Sequence, residues 1–266
     1  MSYLDHWKLK AEPFDSAPDA RFFFESDGHR EAVTRLLYAM RGRKLIALLT
    51  GDYGVGKTTV CETALAKLPA NEFKTAFIRN PRMDALDLTR ELIRQLGEAP
   101  PARSQYDALL ALNTLLDRHA QTGRHCVAVV DEAQTALDAS VFEDLRLLLN
   151  REFKGKPVLT LVFSGQTELG DMLKATPQMM QRIALKFHIP NLTDGEVRAY
   201  VAHRLRMAGG APEIFADDAL RRIAALSKGN AREVNTLCDL CLLIGHIGKA
   251  DRITEPTVEE AWKERE

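Results

Sequence analysis

The sequence predicts an α/β fold in which a parallel five-stranded sheet flanked by helices precedes a small C-terminal helical lid domain. Up to residue 190, short apolar runs alternate with amphipathic helical patterns, and this alternation is typical of a parallel sheet with right-handed crossovers. After Pro190, every periodic segment has helical spacing. We therefore predict three parts: an N-terminal aromatic arm at 1–27, a core at 28–190 and a lid at 191–266.

The predicted arm contains turn-forming residues and many aromatic side chains, including Trp7, Phe14 and three consecutive phenylalanines at 22–24. Disordered tails are poor in aromatic residues. We therefore expect the arm to pack against the folded protein as an extended segment.

The elements of the core follow from apolar runs, which predict buried strands, and from amphipathic segments that end near glycine or proline, which predict helices. In chain order they are helix 28–41, strand 45–49, helix 59–68, strand 73–79, helix 85–96, helix 106–119, strand 125–130, helix 141–153, strand 157–164 and strand 184–189.

The lid has three local signals for helix starts. Thr193 and Glu196 form a capping-box pattern, Asp217 is a candidate cap, and Pro256 is placed to open a last short helix. The predicted lid helices are 193–207, 217–226, 231–247 and a segment from 256 onward.

Composition and net charge indicate a globular protein. The 266 residues are 45% hydrophobic and 27% charged, with a formal net charge of −1, as in globular proteins of one large or two smaller domains. A near-neutral charge gives no global attraction to nucleic acid or anionic membrane. No apolar stretch approaches the roughly 20 residues that span a bilayer, and the N-terminus does not resemble a signal peptide. We expect a cytoplasmic protein.

The four cysteines do not predict a metal site. Cys238 and Cys241 have C-x-x-C spacing, but they lie in an apolar helical segment and no second such pair exists. Cys61 and Cys126 lie in a predicted helix and a predicted strand. We interpret all four as buried core residues.

A glycine-rich segment after the first strand predicts a phosphate-binding loop. It fits the pattern G-x-x-x-x-G-K-[ST] and lies between a strand and a helix, which is the order this motif requires. Glycines let backbone N–H groups turn inward to form an anion nest, the lysine reaches the β- and γ-phosphates, and the next hydroxyl ligates Mg²⁺. The candidate nucleotide-binding residues are Gly51, Asp52, Tyr53, Gly54, Val55, Gly56, Lys57, Thr58 and Thr59.

The strand at 125–130 ends in Asp131 and Glu132, a pattern that resembles a Walker B motif. We predict that Asp131 holds Mg²⁺ together with Thr58, and that Glu132 polarises the attacking water. The sequence therefore predicts ATP and Mg²⁺ as cofactors.

Four further polar residues are candidates for catalysis or nucleotide sensing. In the ASCE class of P-loop ATPases, one strand lies between the strand that precedes the phosphate-binding loop and the strand that ends in the Walker B motif. A polar residue at the tip of this middle strand contacts the γ-phosphate or the attacking water. Ser164 and Gln166 are both placed for this role, and the sequence does not decide between them. Arg182 precedes the fifth strand, and Arg232 begins a lid helix. At either position, a guanidinium can bind phosphate oxygens.

With these motifs in place, the chain resembles AAA+ ATPases of the ExeA/GspA type, from general secretion and pilus assembly. The similarity covers nearly the whole chain and rests on its opening segment and on "GDYGVGKTT", "VVDEAQ", "LVFSGQTEL", "QRIALKFHIPNLT" and "SKGNAREVNTLCDLCLL". The resemblance implies that Arg182 is an arginine finger acting on a neighbouring subunit and that Arg232 is a lid sensor. Thr167 and Ala231 replace prolines that are usual in the family, and neither change removes a functional side chain.

The resemblance implies a homo-oligomer, a ring or filament formed with ATP, that acts as a motor or switch on a protein partner in secretion, pilus or envelope assembly. ExeA resembles this chain in its first part and continues into a transmembrane helix and a peptidoglycan-binding region, so we do not expect this chain alone to provide envelope anchoring. We expect a cytoplasmic location or a peripheral one at the inner membrane.

The same core resembles transposition ATPases of the TnsC/TniB/MuB kind, so a DNA-binding regulator of transposition is the alternative, with DNA as its partner. Two basic clusters bear on this alternative: Arg41, Arg43 and Lys44, and then Lys154 and Lys156. A helicase and a non-hydrolysing nucleotide sensor are less well supported. Residues 190–266 are too few and too helical for a second RecA-like half, and the residues expected for hydrolysis are all present.

Overall fold

The computed structural model describes residues 2–15, 20–79, 82–100, 104–135 and 139–265. The chain forms two compact units. One unit contains Gly28–Tyr53 and Lys57–Ile189. The other contains the residues up to Asp27, the short segment Gly54–Gly56 and the chain from Pro190 onward.

The first unit is built on a parallel five-stranded sheet, as the sequence predicts. Its strand order is β2-β3-β6-β1-β7, and two further strands, β4 and β5, form a separate antiparallel hairpin. The strands are β1 Ile46–Gly51, β2 Phe73–Ile78, β3 His125–Val130, β4 Glu152–Phe153, β5 Lys156–Pro157, β6 Leu159–Gly165 and β7 Ile183–Ile189.

Helices connect these strands and build the second unit. They are α1 Tyr3–Trp7, α2 Asp27–Arg41, α3 Lys57–Ala66, α4 Ala85–Gln95, α5 Gln105–Gln121, α6 Ala139–Leu148, α7 Thr167–Lys174, α8 Pro177–Met180, α9 Asp194–Met207, α10 Asp217–Ser227, α11 Ala231–Ile247 and α12 Glu255–Lys263.

Burial distinguishes the inner strands of the sheet from its edge strand β7. Every residue of β3 and of β6 is buried, whereas the residues of β7 alternate between half-buried and exposed up to the buried Ile189. A strand covered on both faces lies inside a parallel sheet, and an alternating strand suits its edge. Because β6 pairs with both β1 and β3, the carboxyl ends of these three strands lie next to one another.

The structure corrects the prediction for residues 141–164. The helix predicted to reach Phe153 ends at Leu148, and the strand predicted from Pro157 begins at Leu159. Between them lies the β4–β5 hairpin, whose turn has positive φ angles at Lys154 (52°) and Gly155 (70°). The sequence does not predict the hairpin because its two-residue strands are too short to interrupt the apolar pattern on either side.

In the second unit, helices α9–α12 and the N-terminal segment share one hydrophobic core. Trp7 of α1 is 6% exposed, and its indole Nε1 donates a hydrogen bond to the Leu242 carbonyl over 2.9 Å. Phe14 and Phe22 are buried in the same core. The predicted arm thus packs as expected, although Tyr3–Trp7 is a helix and not extended.

Two helix starts in the second unit differ in how they are capped. Thr193 and Glu196 make the predicted capping box at α9. Asp217, however, is the first residue of α10 and not its cap; its carboxylate pairs with Arg198. An acidic residue in the first turn still interacts favourably with the helix dipole.

No helix within the described residues combines the length and the apolar character needed to cross a membrane.

Candidate functional site

The loop between β1 and α3 adopts a backbone that favours glycine. Gly54 and Gly56 have φ angles of 85° and 90°, in a region that residues with a Cβ rarely adopt. Val55 between them is buried, and Tyr53 is 57% exposed. Asp52 is exposed, and Thr59 is half-buried in α3. The two positive φ angles give the loop the glycine-dependent backbone that the phosphate-loop motif requires.

Lys57 begins α3 and is only 4% exposed. Its ammonium group donates hydrogen bonds to the carbonyls of Gly51 and Asp52, each over 3.0 Å. A buried ammonium is unfavourable unless it is hydrogen-bonded, so these two carbonyls hold the cation within the loop. An ammonium group has three donors, and the third suits an anion bound in the same loop.

Asp131 lies at the end of β3 and is 2% exposed. Thr58 Oγ1 donates to its Oδ2 over 2.5 Å, and Ser164 Oγ donates to its Oδ1 over 2.6 Å. The three side chains come from α3, the end of β3 and β6, and they meet because β6 lies between β1 and β3. One buried carboxylate with an adjacent hydroxyl is an oxygen donor set suited to Mg²⁺.

Glu132 follows Asp131 and has a φ of 50°, in the left-handed region. Non-glycine residues in this region are uncommon and cluster at functional sites. Its carboxylate Oε2 accepts a hydrogen bond from Gln134 Nε2 over 2.6 Å. The left-handed backbone turns the Glu132 side chain away from the direction that a continuing strand would give it.

The two candidates on the β6 exit have different surroundings. Ser164 is fully buried and is hydrogen-bonded to Asp131. Gln166 is half-buried and occupies the N-cap position of α7, where its side chain makes no capping bond. The choice between them as sensor stays a prediction.

Arg182 lies at the opposite end of the strands from the glycine-rich loop. It precedes β7, and the register pairs Ile183 with Ile46 and Ile189 with Gly51. One full strand separates the two ends, which corresponds to roughly 20 Å. The guanidinium donates to Asn150 Oδ1 over 2.6 Å and to the Arg146 carbonyl over 3.4 Å. The structure does not bring Arg182 to the loop of its own chain.

Arg232 lies in the first turn of α11, which is capped by Asn230. A Cβ built on Gly54 would lie 2.7 Å from the Cβ of Arg232 and 3.1 Å from Asn230 Oδ1. All three residues belong to the second unit. The start of α11 therefore approaches the backbone at position 54 so closely that only glycine fits there.

The cysteines behave as core residues, as the sequence indicates. All four are free and buried. Burial, followed by the charge of Asp131, raises the pKa of the Cys61 thiol well above its usual range, and burial raises the pKa of Cys241 to about 12. Thiols held protonated in this way are poor nucleophiles and poor metal ligands. No group of three metal-binding side chains occurs among the described residues.

Sequence reasoning does not identify Gln134 as a member of this site. Its side chain contacts both Glu132 and the backbone of Gln166. It belongs to the quoted "VVDEAQ" segment, but the sequence gives no signal that its side chain spans from β3 to β6, because that contact depends on the strand order.

A comparison with known families identifies the class. The model of the AAA domain family matches residues 40–173, a range that contains the loop, Lys57, Asp131, Glu132 and Ser164. The chain belongs to this family, and the predicted α/β P-loop architecture is confirmed. AAA domains are nucleotide-binding ATPase modules, so the coarse assignment to a nucleotide-binding ATPase fold follows.

A curated relative supports the predicted resemblance to ATPases of the ExeA/GspA type. The chain is 35% identical over 250 residues to General secretion pathway protein A of Aeromonas hydrophila, covering 91% of this chain and 44% of that protein. The predicted resemblance to the ExeA/GspA type is thereby confirmed. The chain spans less than half the length of this relative.

Solved structures show the same fold at low sequence identity. Drosophila ORC bound to DNA is similar with a TM-score of 0.74 and 18% identity, covering 98% of this chain and 65% of that one. The Aeropyrum pernix ORC2 protein, in its ADPNP–ADP complexes, is similar with a TM-score of 0.67 and 17% identity, covering 97% and 72%.

Proposed function

We propose that the chain binds Mg²⁺-ATP at the loop after β1 and hydrolyses it. The observation that carries this proposal is the convergence of Lys57, Thr58 and Asp131 beside a loop with positive φ at Gly54 and Gly56. The loop offers a cation and backbone N–H groups to phosphates, and the hydroxyl–carboxylate pair offers oxygen ligands to a metal.

Each side chain has a role that suits its chemistry. Lys57 would bind phosphate oxygens, Thr58 and Asp131 would hold Mg²⁺, and Glu132 would orient the attacking water and accept its proton. Bound Mg²⁺ supplies positive charge that offsets the charge of the phosphates.

Two variants test this assignment. Lys57→Ala should abolish nucleotide binding, because it removes the cation of the loop. Glu132→Gln should bind nucleotide like the parent and lose turnover by about 100-fold or more, because an amide cannot accept the proton. Binding is measured with a fluorescent ATP analogue and turnover by phosphate release. Lys174→Ala, which changes an exposed lysine, is the matched control and should leave both unchanged. A Glu132→Gln variant that hydrolyses ATP like the parent would contradict the role given to Glu132.

We further propose that the site is completed by Arg182 of a second copy. An arginine side chain reaches only about 7 Å, whereas one strand length of roughly 20 Å separates Arg182 from its own loop. Arg182 would therefore act on phosphates bound in the loop of a neighbouring subunit, and not on those of its own loop. This geometry supports a homo-oligomer, ring or filament, whose turnover depends on assembly.

A mixing experiment tests whether Arg182 acts in trans. Arg182→Ala has an intact site and lacks the arginine, whereas Glu132→Gln has the arginine and lacks the base. Each alone should be nearly inactive. Mixed together they should recover turnover, because an Arg182→Ala site can then receive Arg182 from its neighbour. A mixture no more active than the sum of its parts would contradict the proposal.

The 35% sequence identity to General secretion pathway protein A supports a role as a motor or switch that acts on a protein partner in secretion, pilus or envelope assembly. This role fits a cytoplasmic location or a peripheral one at the inner membrane.

A second candidate is a DNA-binding ATPase regulator of the TnsC/TniB/MuB kind. The observation that favours it is a row of cations on the amino edge of the sheet. Lys74 lies at the start of β2, Arg124 directly precedes β3, Lys156 precedes β6, and Lys44 precedes β1. These four strands are consecutive neighbours in the sheet, so the row spans about 14 Å.

The row carries net positive charge. It combines these four cations with Glu72, a carboxylate on the same edge. Burial is the main cause that lowers the pKa of the neighbouring His119, and the charges of Arg124 and Lys74 lower it further. Duplex DNA carries one negative charge per about 1.7 Å, and its phosphate backbone fits such a row.

Duplex binding distinguishes the two candidates. A DNA-binding chain should bind labelled duplex at about 50 mM salt and lose affinity at about 200 mM. The double variant Lys44→Ala/Arg124→Ala should lose binding at both salt levels, and Lys263→Ala, on α12, should not. An ATPase rate that rises with protein concentration and is indifferent to duplex would favour the protein-directed role.

A further inference from the structure

Gln134 joins the candidate base to the exit of β6. It lies in a short 3-10 helix, Ala133–Thr135, directly after Glu132. Its Nε2 donates to Glu132 Oε2 over 2.6 Å, and its Oε1 accepts from the Gln166 backbone N–H over 3.3 Å. Both ends of the amide are therefore engaged, one on each side of the site.

The orientation of this amide is fixed by chemistry. An ionised carboxylate can only accept a hydrogen bond, and a backbone N–H can only donate one. Rotating the amide by 180° would place the carbonyl oxygen against the carboxylate and the amino group against an N–H. Only the observed orientation satisfies both partners. The Gln134 amide therefore links the position of the Gln166 backbone to the position of the Glu132 carboxylate.

Gly165 makes room for this arrangement. A Cβ built on Gly165 would lie 2.3 Å from Gln134 Oε1 and 2.8 Å from Leu169 Cδ2. Real Cβ atoms do not approach other atoms this closely. Since the backbone of Gly165 does not lie in the left-handed region, its small size and not its conformational freedom is what the site uses.

The Glu132 backbone and side chain are held by two different neighbours. The Glu132 carbonyl accepts from the Thr135 N–H and from Thr135 Oγ1, both over 2.9 Å, which fixes the left-handed backbone. The carboxylate is held by Gln134 alone among the hydrogen bonds that the described residues make to it. The direction of the carboxylate thus depends on where the β6 exit holds Gln134.

We propose that Gln134 is a positioning residue that couples the Glu132 carboxylate to the junction of β6 and α7. This inference rests on the proposed ATPase function. A shift of the Gln166 backbone moves the amide and with it the carboxylate, so the state of the β6–α7 junction sets the rate of turnover without changing the loop that binds nucleotide.

The test uses variants that separate hydrogen bonding from packing. Gln134→Met keeps the length and volume of the side chain and removes both hydrogen bonds. Gly165→Ala leaves Gln134 in the sequence and displaces its amide. In each, kcat should fall about 10- to 100-fold, as expected when a catalytic group is misplaced by about 1 Å, while the Kd for the fluorescent ATP analogue stays within about twofold. The combined variant should be no slower than the slower single variant, because both changes disrupt one contact.

Controls separate this inference from a folding effect and from the ATPase proposal itself. Gln121→Met, at the exposed end of α5, is the matched Gln-to-Met control and should match the parent. Unfolding free energies of all variants are measured alongside. Glu132→Gln is run in parallel to show that turnover depends on Glu132.

The outcomes are distinct. Turnover of Gln134→Met equal to that of the parent overturns the inference alone, and so does a loss of turnover matched by an equal loss of nucleotide affinity. If Gly165→Ala fails to fold, Gln134→Met by itself decides the question. A parent without Glu132-dependent turnover overturns the ATPase proposal and this inference together.

Discussion

Asp131 shows how much a single carboxylate depends on residues far away in the chain. Its two oxygens accept hydroxyl hydrogen bonds from Thr58 and Ser164, which lie 73 and 33 positions away. Hydrogen bonds to a charged acceptor are stronger than neutral ones, so a buried carboxylate is tolerated here. The residue types are visible in the sequence, but the pairing of Ser164 with Asp131 is not.

His125, at the start of β3, gives a prediction for acid stability. The side chain is 1% exposed, with Nε2 2.8 Å from Thr160 Oγ1. Burial, and next the charge of Arg43, lower the pKa of His125 from 6.5 to about 4. The unfolded chain therefore takes up a proton between pH 6.5 and about 4 and the folded chain does not, so stability is full above pH 6.5 and falls by about 3 kcal/mol across this window.

The measurement is the free energy of urea unfolding between pH 7 and 4. His125→Gln should flatten this part of the profile, because it removes the titrating group. Thr160→Val should lower stability while keeping the slope, because the imidazole stays buried. An unchanged slope in His125→Gln would show that other groups dominate the acid response.

At the scale of elements, local signals and tertiary context contribute differently to α11 and to the β4–β5 hairpin. The sequence places Asn230 between two lid helices, and its side-chain oxygen accepts from the N–H groups of Arg232 and Glu233. The cap is a local interaction, and its residue type can be recognised in the sequence. The hairpin at 152–157 cannot be predicted in the same way, because two-residue strands carry no periodic signal.

The cap on α11 yields an element-scale prediction. Asn230→Ala should lower the unfolding free energy by about 1 kcal/mol, because two N–H groups lose their acceptor. Asn230→Asp keeps an acceptor and should retain most of the stability. Chemical denaturation of both variants measures the difference, and equal losses in the two would argue that the cap contributes little.

At the scale of the whole molecule, each unit has its own core, and the second unit is assembled largely from the two ends of the chain. Arg204 of α9 is buried, and its guanidinium donates to the carbonyls of Pro13 and Asp15. The same guanidinium lies 4.9 Å from the ring centroid of Phe22. The N-terminal segment is therefore part of the helical core.

Trp7 tests that conclusion. Trp7→Ala should destabilise the chain by about 3–5 kcal/mol, as expected for loss of a large core side chain, and should expose the helical unit to proteolysis. Tyr106→Ala removes an aromatic side chain that is 74% exposed and should have a small effect. Chemical denaturation and limited proteolysis compare the two variants. Stability of Trp7→Ala close to that of the parent would mean that the helical core tolerates loss of the N-terminal segment.

The sequence by itself determined the features that depend on neighbours along the chain: the glycine-rich loop, the strand that ends in Asp131 and Glu132, the capping box at Thr193, and the AAA+ resemblance. Only the tertiary structure decided which distant residues meet. The order β2-β3-β6-β1-β7 brings Ser164 and Gln134 to the site and leaves Arg182 at the amino end of β7, a strand length from the loop. The physical reason is that strand pairing depends on burial and crossover topology across the whole sheet, and no local pattern encodes it.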